Sequence, residues 1–222
     1  MAELDERLAT VSGEVADAAR AAGRDPHSIT TIVVTKFHPA SLIRHLHALG
    51  VRDFGESRHQ DAQPKVAELS DLDATWHFIG QLQSKKARHV REYSDVIHSV
   101  DRSSLVEALV APDPRDVFIQ LNLTDDPGRG GVQPAKLLHL ADVVAEAEGL
   151  QLRGLMVVAP LDAEPRRAFA RVRELSERLV EGHPDASGLS MGMSGDFRDA
   201  ILEGATHLRI GTAITGNRPD HG

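Results

Sequence analysis

The sequence predicts an α/β fold: a single (β/α)8, TIM-barrel-like domain with an extra N-terminal helix. Three observations carry that expectation. Short β-branched apolar segments alternate with helical ones along 222 residues, a rhythm that builds a parallel sheet with helices outside it. There are eight such strand segments, the number that closes a barrel. No GxGxxG follows the first of them, which weighs against an open dinucleotide-binding sheet.

The elements follow in order. Leu4, Leu8, Val11, Val15 and Ala18 recur at helical spacing over 3–22, and Gly23 ends the run. Thr31-Ile32-Val33-Val34-Thr35 reads as a buried strand. Pro39 and Ser41 open a helix carrying Leu42, Ile43, Leu46 and Leu49, closed by Gly50. Further strands are expected at 51–54, 75–79, 95–98, 117–122, 152–158, 188–191 and 207–210. Helices are expected at 57–69, 83–92, 103–110, 134–148, 163–181 and 196–203. The barrel spans about 29–218. Pro112-Asp113-Pro114 and Asp125-Asp126-Pro127-Gly128 are loops too short to separate domains, so one domain is expected over 1–222.

Composition removes several function classes. A net charge of −8 argues against a nucleic-acid partner, because phosphate backbones require a basic face. The absence of cysteine excludes disulfides, thiolate metal sites and cysteine nucleophiles, and is compatible with a reducing compartment. Met1-Ala2-Glu3-Leu4-Asp5-Glu6 lacks the apolar run of a signal peptide, and no stretch is apolar enough to span a bilayer. A cytoplasmic protein without membrane contact is expected.

Lysine is scarce: Lys36, Lys65, Lys85, Lys86 and Lys136 are the whole set. Four fall in helices or loops, where a solvated charge costs little. Lys36 alone ends an apolar strand, at the barrel end where active-site groups point. A desolvated lysine there has a lowered pKa, and its neutral amine attacks aldehydes. Position alone balances this reading against a lysine snorkelling out of the strand end.

Two glycine-rich segments shift the balance. Ser190-Met191-Gly192-Met193-Ser194-Gly195-Asp196 follows the seventh strand, and Arg209-Ile210-Gly211-Thr212-Ala213 ends the eighth. Barrel proteins bind phosphate with the loops at these two positions, where small residues let backbone N–H groups approach an anion. Arg209, among Leu208 and Ile210, needs a partner if buried: a structural carboxylate or a ligand acceptor. His77 is expected as a hydrogen-bonded core histidine and His98 at a strand end as a candidate lining of the mouth. His38, His45, His47, His59, His89 and His139 are expected to be solvated. No metal-binding spacing is present. Tyr93, the only tyrosine, precedes its strand and belongs at the face away from chemistry.

Several segments together resemble one family. They are Val34-Thr35-Lys36, Phe54-Gly55-Glu56, Trp76-His77-Phe78-Ile79-Gly80-Gln81-Leu82-Gln83-Ser84-Lys85-Lys86, Ile97-His98-Ser99-Val100-Asp101, Gly154-Leu155-Met156, Leu189-Ser190-Met191-Gly192-Met193-Ser194 and Arg209-Ile210-Gly211-Thr212-Ala213-Ile214. In this order they resemble the pyridoxal phosphate homeostasis protein family, over about Ile29 to Arg218. The resemblance implies a barrel related to the N-terminal domain of alanine racemase. It implies pyridoxal 5′-phosphate (PLP) on Lys36 as a Schiff base. It further implies phosphate contacts from Ser194, Gly211 and Thr212, help from Gly192 and Met193, and Arg209 near the cofactor ring or its phosphate.

Three departures stand out. The family's Asn after Phe-Gly-Glu is Ser57 here, a weaker or water-mediated cofactor contact, and Arg58 follows in place of an aromatic. Thr215 replaces the family's usual Phe, which should loosen local packing. Gly216-Asn217 departs without expected consequence.

The resemblance implies a PLP carrier or buffer with no established turnover, handing cofactor to PLP-requiring apoenzymes. A chain that stops soon after its last strand, without the partner domain and second base of the racemases, fits a monomer that holds PLP. The competing readings are a PLP-dependent amino-acid racemase or low-activity PLP enzyme, a Schiff-base aldolase, and an interaction protein with a vestigial site.

Overall fold

The computed structural model describes residues 2–217; Met1 and 218–222 lie outside the described residues, so Arg218, the last residue of the expected barrel span, is not placed. Eight parallel strands close in sequence order, β1 (Thr30–Val34), β2 (Asp53–Glu56), β3 (Thr75–Phe78), β4 (Val96–Val100), β5 (Arg115–Gln120), β6 (Leu150–Met156), β7 (Gly188–Ser190) and β8 (His207–Ile210). β8 returns to β1 through four register pairs, from Thr30 with His207 to Val33 with Ile210. The expected (β/α)8 barrel is the fold, and all eight expected strands are present.

The helices are α1 (Ala2–Ala21), α2 (Ala40–Ala48), α3 (His59–Glu68), α4 (Ala87–Tyr93), α5 (Ser103–Leu109), α6 (Leu137–Glu146), α7 (Pro165–Gly182), α8 (Phe197–Leu202) and α9 (Thr212–Thr215). α1 buries Leu4, Val11, Val15 and Ala19 and packs on α8 and α9, as its apolar spacing requires. Among the described residues no helix is long and apolar enough to cross a membrane.

The differences from expectation have local causes. β2 begins at Asp53 because the Val51 amide donates to Leu46 O and so finishes the end of α2. Ser57 and Arg58 do not join α3: Arg58 stays extended, and the Ser57 carbonyl lies against Gly80 so closely that a Cβ on Gly80 would sit 2.1 Å from it. The helix expected at 83–92 splits into a 3-10 turn, Ser84–Lys86, and α4. α9 was not expected, since its β-branched residues have low helix propensity.

Two apolar layers result from strand alternation. The larger lies between the barrel wall and the helices and includes Val33, Phe54, Ile97, Val117, Ile119 and Leu155. The smaller, Val96, Phe118 and Met156 with Val158, lies inside the barrel. Beside Ile32, which pairs in register with Arg209, the interior also holds polar side chains: His77, His98, Ser190 and Arg209 are all buried.

Candidate functional site

The C-terminal ends of β7, β8, β1 and β2 are neighbours around one arc of the mouth. Lys36 follows β1, Ser57 follows β2, Met193 and Ser194 follow β7, and Gly211 and Thr212 follow β8. The structure therefore brings six of the seven expected site residues onto contiguous loops. The seventh, Arg209, lies deeper, on β8 inside the barrel.

Lys36 occupies a tight turn. The His38 amide donates to Thr35 O at 3.0 Å, and Phe37 at the next corner has φ +70°, a conformation that is costly for a bulky residue. Such strain persists where the surroundings enforce it, and it concentrates at functional sites. Lys36 itself is exposed. This corrects the expectation of a desolvated amine: β1 ends two residues earlier, and the turn lifts the side chain to the rim.

The desolvated lysine is Lys65, expected to be a solvated helical residue but only 7% exposed. It shares the buried face of α3 with Ala62, three residues before it, so the helix drives it against the barrel wall. Lys65 Nζ donates to Glu56 Oε1 at 2.6 Å and to Thr35 O at 3.1 Å, and Thr35 Oγ1 donates to the same Glu56 oxygen at 2.8 Å. Glu56 Oε2 is buried with no hydrogen-bond partner among the described residues. Burial, opposed by Lys65, raises the Glu56 carboxyl above its ordinary pKa. This cluster holds the Thr35 carbonyl, hence the turn that carries Lys36. The signal in the sequence was Lys65 at an apolar-face position of α3.

The two glycine-rich loops meet: the Ala213 amide donates to Ser194 Oγ at 3.4 Å. Gly192 has φ +96°, and a Cβ there would come 2.7 Å from that of Ala200, so only glycine fits the path. Among the described residues, the amides of Ser194, Gly195, Gly211 and Thr212 make no hydrogen bond to the protein. These are donors available to an anion. Met193 is partly exposed, and its amide donates to Asp196 Oδ1 at 2.6 Å. Thr215, expected to loosen its surroundings, is buried and donates through Oγ1 to Gly211 O at 3.2 Å.

Arg209 is 4% exposed. Its Nη1 donates to Ser190 Oγ and its Nη2 to Val157 O, both at 2.8 Å. No carboxylate pairs with it among the described residues, which removes the structural-carboxylate alternative. Burial lowers its pKa to about 10, with Asp196 opposing that shift. A buried guanidinium with neutral partners and three unused N–H donors is suited to an electron-rich ligand atom.

Beneath Arg209 the polar chain continues. Ser190 Oγ is 2.9 Å from His98 Nδ1, His98 Nε2 is 2.9 Å from His77 Nδ1, and His77 Nε2 is 3.0 Å from Asp53 Oδ1. His77 is the hydrogen-bonded core histidine expected. His98 is not at the mouth: it is fully buried, stacked on Phe118 at 4.6 Å. His38, expected to be solvated, is buried as well, and burial lowers its pKa. Tyr93 has its backbone where expected, but its ring stacks on His59 at the start of α3, outside the barrel wall.

Ser57 is half-buried and lines a cleft of about 210 Å³ with Arg58, His59, Gln60, Gln83 and Lys86, at the edge of the arc. A second hollow of about 240 Å³ opens across the mouth, over the ends of β3, β5 and β6, and includes Gln81, Gln120, Arg129 and Met156. A larger cavity of about 540 Å³ lies at the far end of the barrel, between the start of β6 and the end of α7, and contains none of the expected residues. Its position opposes an active-site role, since barrel chemistry sits at the C-terminal face.

Comparison with known proteins bears on this geometry. Residues 16–219 match the family described as alanine racemase, N-terminal domain. A pyridoxal phosphate homeostasis protein of Pseudomonas aeruginosa is 42% identical over 230 residues, covering 100% of this chain and 98% of that protein. One from Escherichia coli K12 is 38% identical over 229 residues, covering 98% of each. The structure of PipY from Synechococcus elongatus PCC7942, with PLP bound, superposes with a TM-score of 0.83 at 39% identity, covering 96% of this chain and 100% of that one.

Proposed function

Because the chain belongs to the pyridoxal phosphate homeostasis protein family, built on the alanine racemase N-terminal domain, we propose that it binds PLP and serves as a carrier or buffer of that cofactor. The observation that carries the reading is the buried Arg209 without a carboxylate partner, beneath an arc of loops that offers one amine and four unbonded amides. These residues fit the group. Lys36 takes the aldehyde, the amides of Ser194, Gly195, Gly211 and Thr212 take the phosphate, and Arg209 takes the ring nitrogen or a phosphate oxygen. Met193 and Ser57 flank the site. Bound PLP supplies an aldehyde and an electron-withdrawing ring.

With PLP bound, Lys36 would hold it at the aldehyde carbon as a Schiff base, its Nζ supplying the nucleophilic amine. The Thr35 carbonyl, fixed by Lys65 and His38, keeps the turn in place while the amine reacts. Arg209, whose guanidinium keeps its protons near neutral pH, would leave a ring nitrogen that it contacts unprotonated. That weakens the ring as an electron sink and favours holding over turnover. The only tyrosine stacks on His59, and burial raises its hydroxyl pKa well above the ordinary value, which disfavours the phenolate that a second base requires. The protein acts as a single-domain monomer that yields PLP to PLP-requiring apoenzymes.

The test is an absorption spectrum of the purified protein with PLP before and after borohydride, followed by mass spectrometry of the digest. A reduced adduct on Lys36 is expected. Label on Lys65, Lys85, Lys86 or Lys136 instead would overturn the assignment, and robust racemase turnover across an amino-acid panel would overturn the carrier role.

A further inference from the structure

The interior of this barrel is crossed by an unbroken series of hydrogen bonds, Arg209–Ser190–His98–His77–Asp53, with contacts of 2.8, 2.9, 2.9 and 3.0 Å. Barrel interiors are ordinarily filled by branched apolar side chains. Here a guanidinium near the mouth is tied to a carboxylate at the start of β2, whose side chain is 29% exposed at the other end.

The direction of each bond follows from donor chemistry. Arg209 can only donate, so Ser190 Oγ accepts from it. An ionised Asp53 can only accept, so His77 donates through Nε2. A neutral His77 then has a bare Nδ1, which accepts from His98 Nε2–H. A neutral His98 has a bare Nδ1 in turn, which accepts the Ser190 hydroxyl proton. With Asp53 ionised and both rings neutral, this assignment alone satisfies every contact, and each donor points away from the cation and towards the anion. Cooperative polarisation strengthens such a series. Burial, with His77, Arg209 and His207 nearby, pushes His98 well below the usual imidazole range, which keeps that ring neutral. Phe118, stacked on His98 and edge-on to His207, fills the space beside it.

We propose that Ser190 and His98, oriented from the opposite end of the barrel by His77 and Asp53, are positioning residues: they fix the Arg209 guanidinium and leave its three remaining N–H donors for the ligand. Their effect reaches the ligand through Arg209. The ligand arm of the proposal rests on PLP being what Arg209 meets; the direction of the series does not.

The test has two arms. In the first, 15N-labelled protein without PLP is examined by long-range 1H–15N correlation, which reports which ring nitrogen carries the proton. Both His77 and His98 are expected as Nε2–H. A proton on His98 Nδ1, or protons on both nitrogens of His77, would reverse the series and overturn the proposal. In the second arm, Ser190→Ala and Asp53→Ala are titrated with PLP by absorbance, with circular dichroism to confirm folding. Ser190→Ala is expected to weaken binding about tenfold or more and to shift the absorption maximum of bound PLP, since a bond to a charged group is lost. Asp53→Ala, at the far end, is expected to shift the same maximum with a smaller loss of affinity. Folded variants that both bind and absorb as the parent does would overturn the positioning role. Should Ser190→Ala fail to fold, the partly exposed Asp53 still provides the test. If the parent does not bind PLP, the proposed function falls, and the tautomer arm still decides the series.

Discussion

Removing the amine of Lys65 while leaving Glu56 in place tests the buried cluster under the Lys36 turn. At the observed 2.6 Å, an effective dielectric of about 20 gives about 6 kcal/mol of attraction before desolvation is subtracted. Breaking such a pair costs about 3–5 kcal/mol. The structure limits the loss further, because Glu56 in Lys65→Met can escape by taking up a proton. Relative to an unfolded pKa of about 4.3, that escape costs about 1.4 kcal/mol per pH unit, hence about 3.7 kcal/mol at pH 7 and about 1 kcal/mol at pH 5. The sign follows from linkage. The folded carboxyl binds its proton more tightly than the unfolded one, so stability is greatest below the unfolded pKa and falls as pH rises towards the folded value. Urea unfolding of Lys65→Met at pH 5 and pH 7 should therefore show a penalty that grows by about 2–3 kcal/mol, and at about 2–4 °C per kcal/mol the melting temperature at pH 7 should drop by about 7–15 °C. Lys65→Met with Glu56→Leu should recover to within about 1 kcal/mol of the parent. An equal penalty at both pH values, or a double variant no better than the single, would refute the reasoning.

Three further outcomes are expected. Lys36→Ala should abolish borohydride-fixed label with PLP and leave the melting temperature within about 1–2 °C of the parent, because the exposed side chain contributes little to folding. Burial, with His77 next in weight, lowers His207 to about 4. That stabilisation is complete above the unfolded value of about 6.5 and is lost as pH falls towards 4, by about 2–3 kcal/mol; His207→Phe should flatten this slope in pH-dependent chemical denaturation. Gly80→Ala places a methyl group 2.1 Å from the Ser57 carbonyl, so about 2–3 kcal/mol of destabilisation is expected by urea unfolding.

The barrel was legible because its signal is repetitive: strands such as Thr30–Val34 are β-branched throughout, and amphipathic helices separate them. The placement of the candidate residues on one arc was legible for the same reason, since a residue following a strand of a parallel barrel lies at the mouth. Burial was harder to read. Lys36 and Lys65 exchanged the environments expected of them, because where a strand ends to the residue, and which way a turn throws its side chain, are decided by contacts distant in sequence. The polar interior was missed as a connected whole for the same cause. Asp53, His77, His98 and Ser190 stand on four different strands, and only closure of the sheet brings them into line. Arg209 showed the reverse: the sequence left two kinds of partner open, and the fold supplies a serine hydroxyl and a backbone carbonyl instead of a carboxylate.

The rim position of Lys36 carries a kinetic consequence. Imine formation expels water, and its reversal consumes water. An amine sealed in a dry pocket would keep its adduct by starving the return path, whereas one facing bulk solvent leaves that path open at all times. If Lys36 holds PLP as proposed, retention would rest on the contacts to its phosphate and ring, and departure would need no lid to open. A reservoir so built would empty at a rate set by the non-covalent grip on the cofactor rather than by the covalent bond.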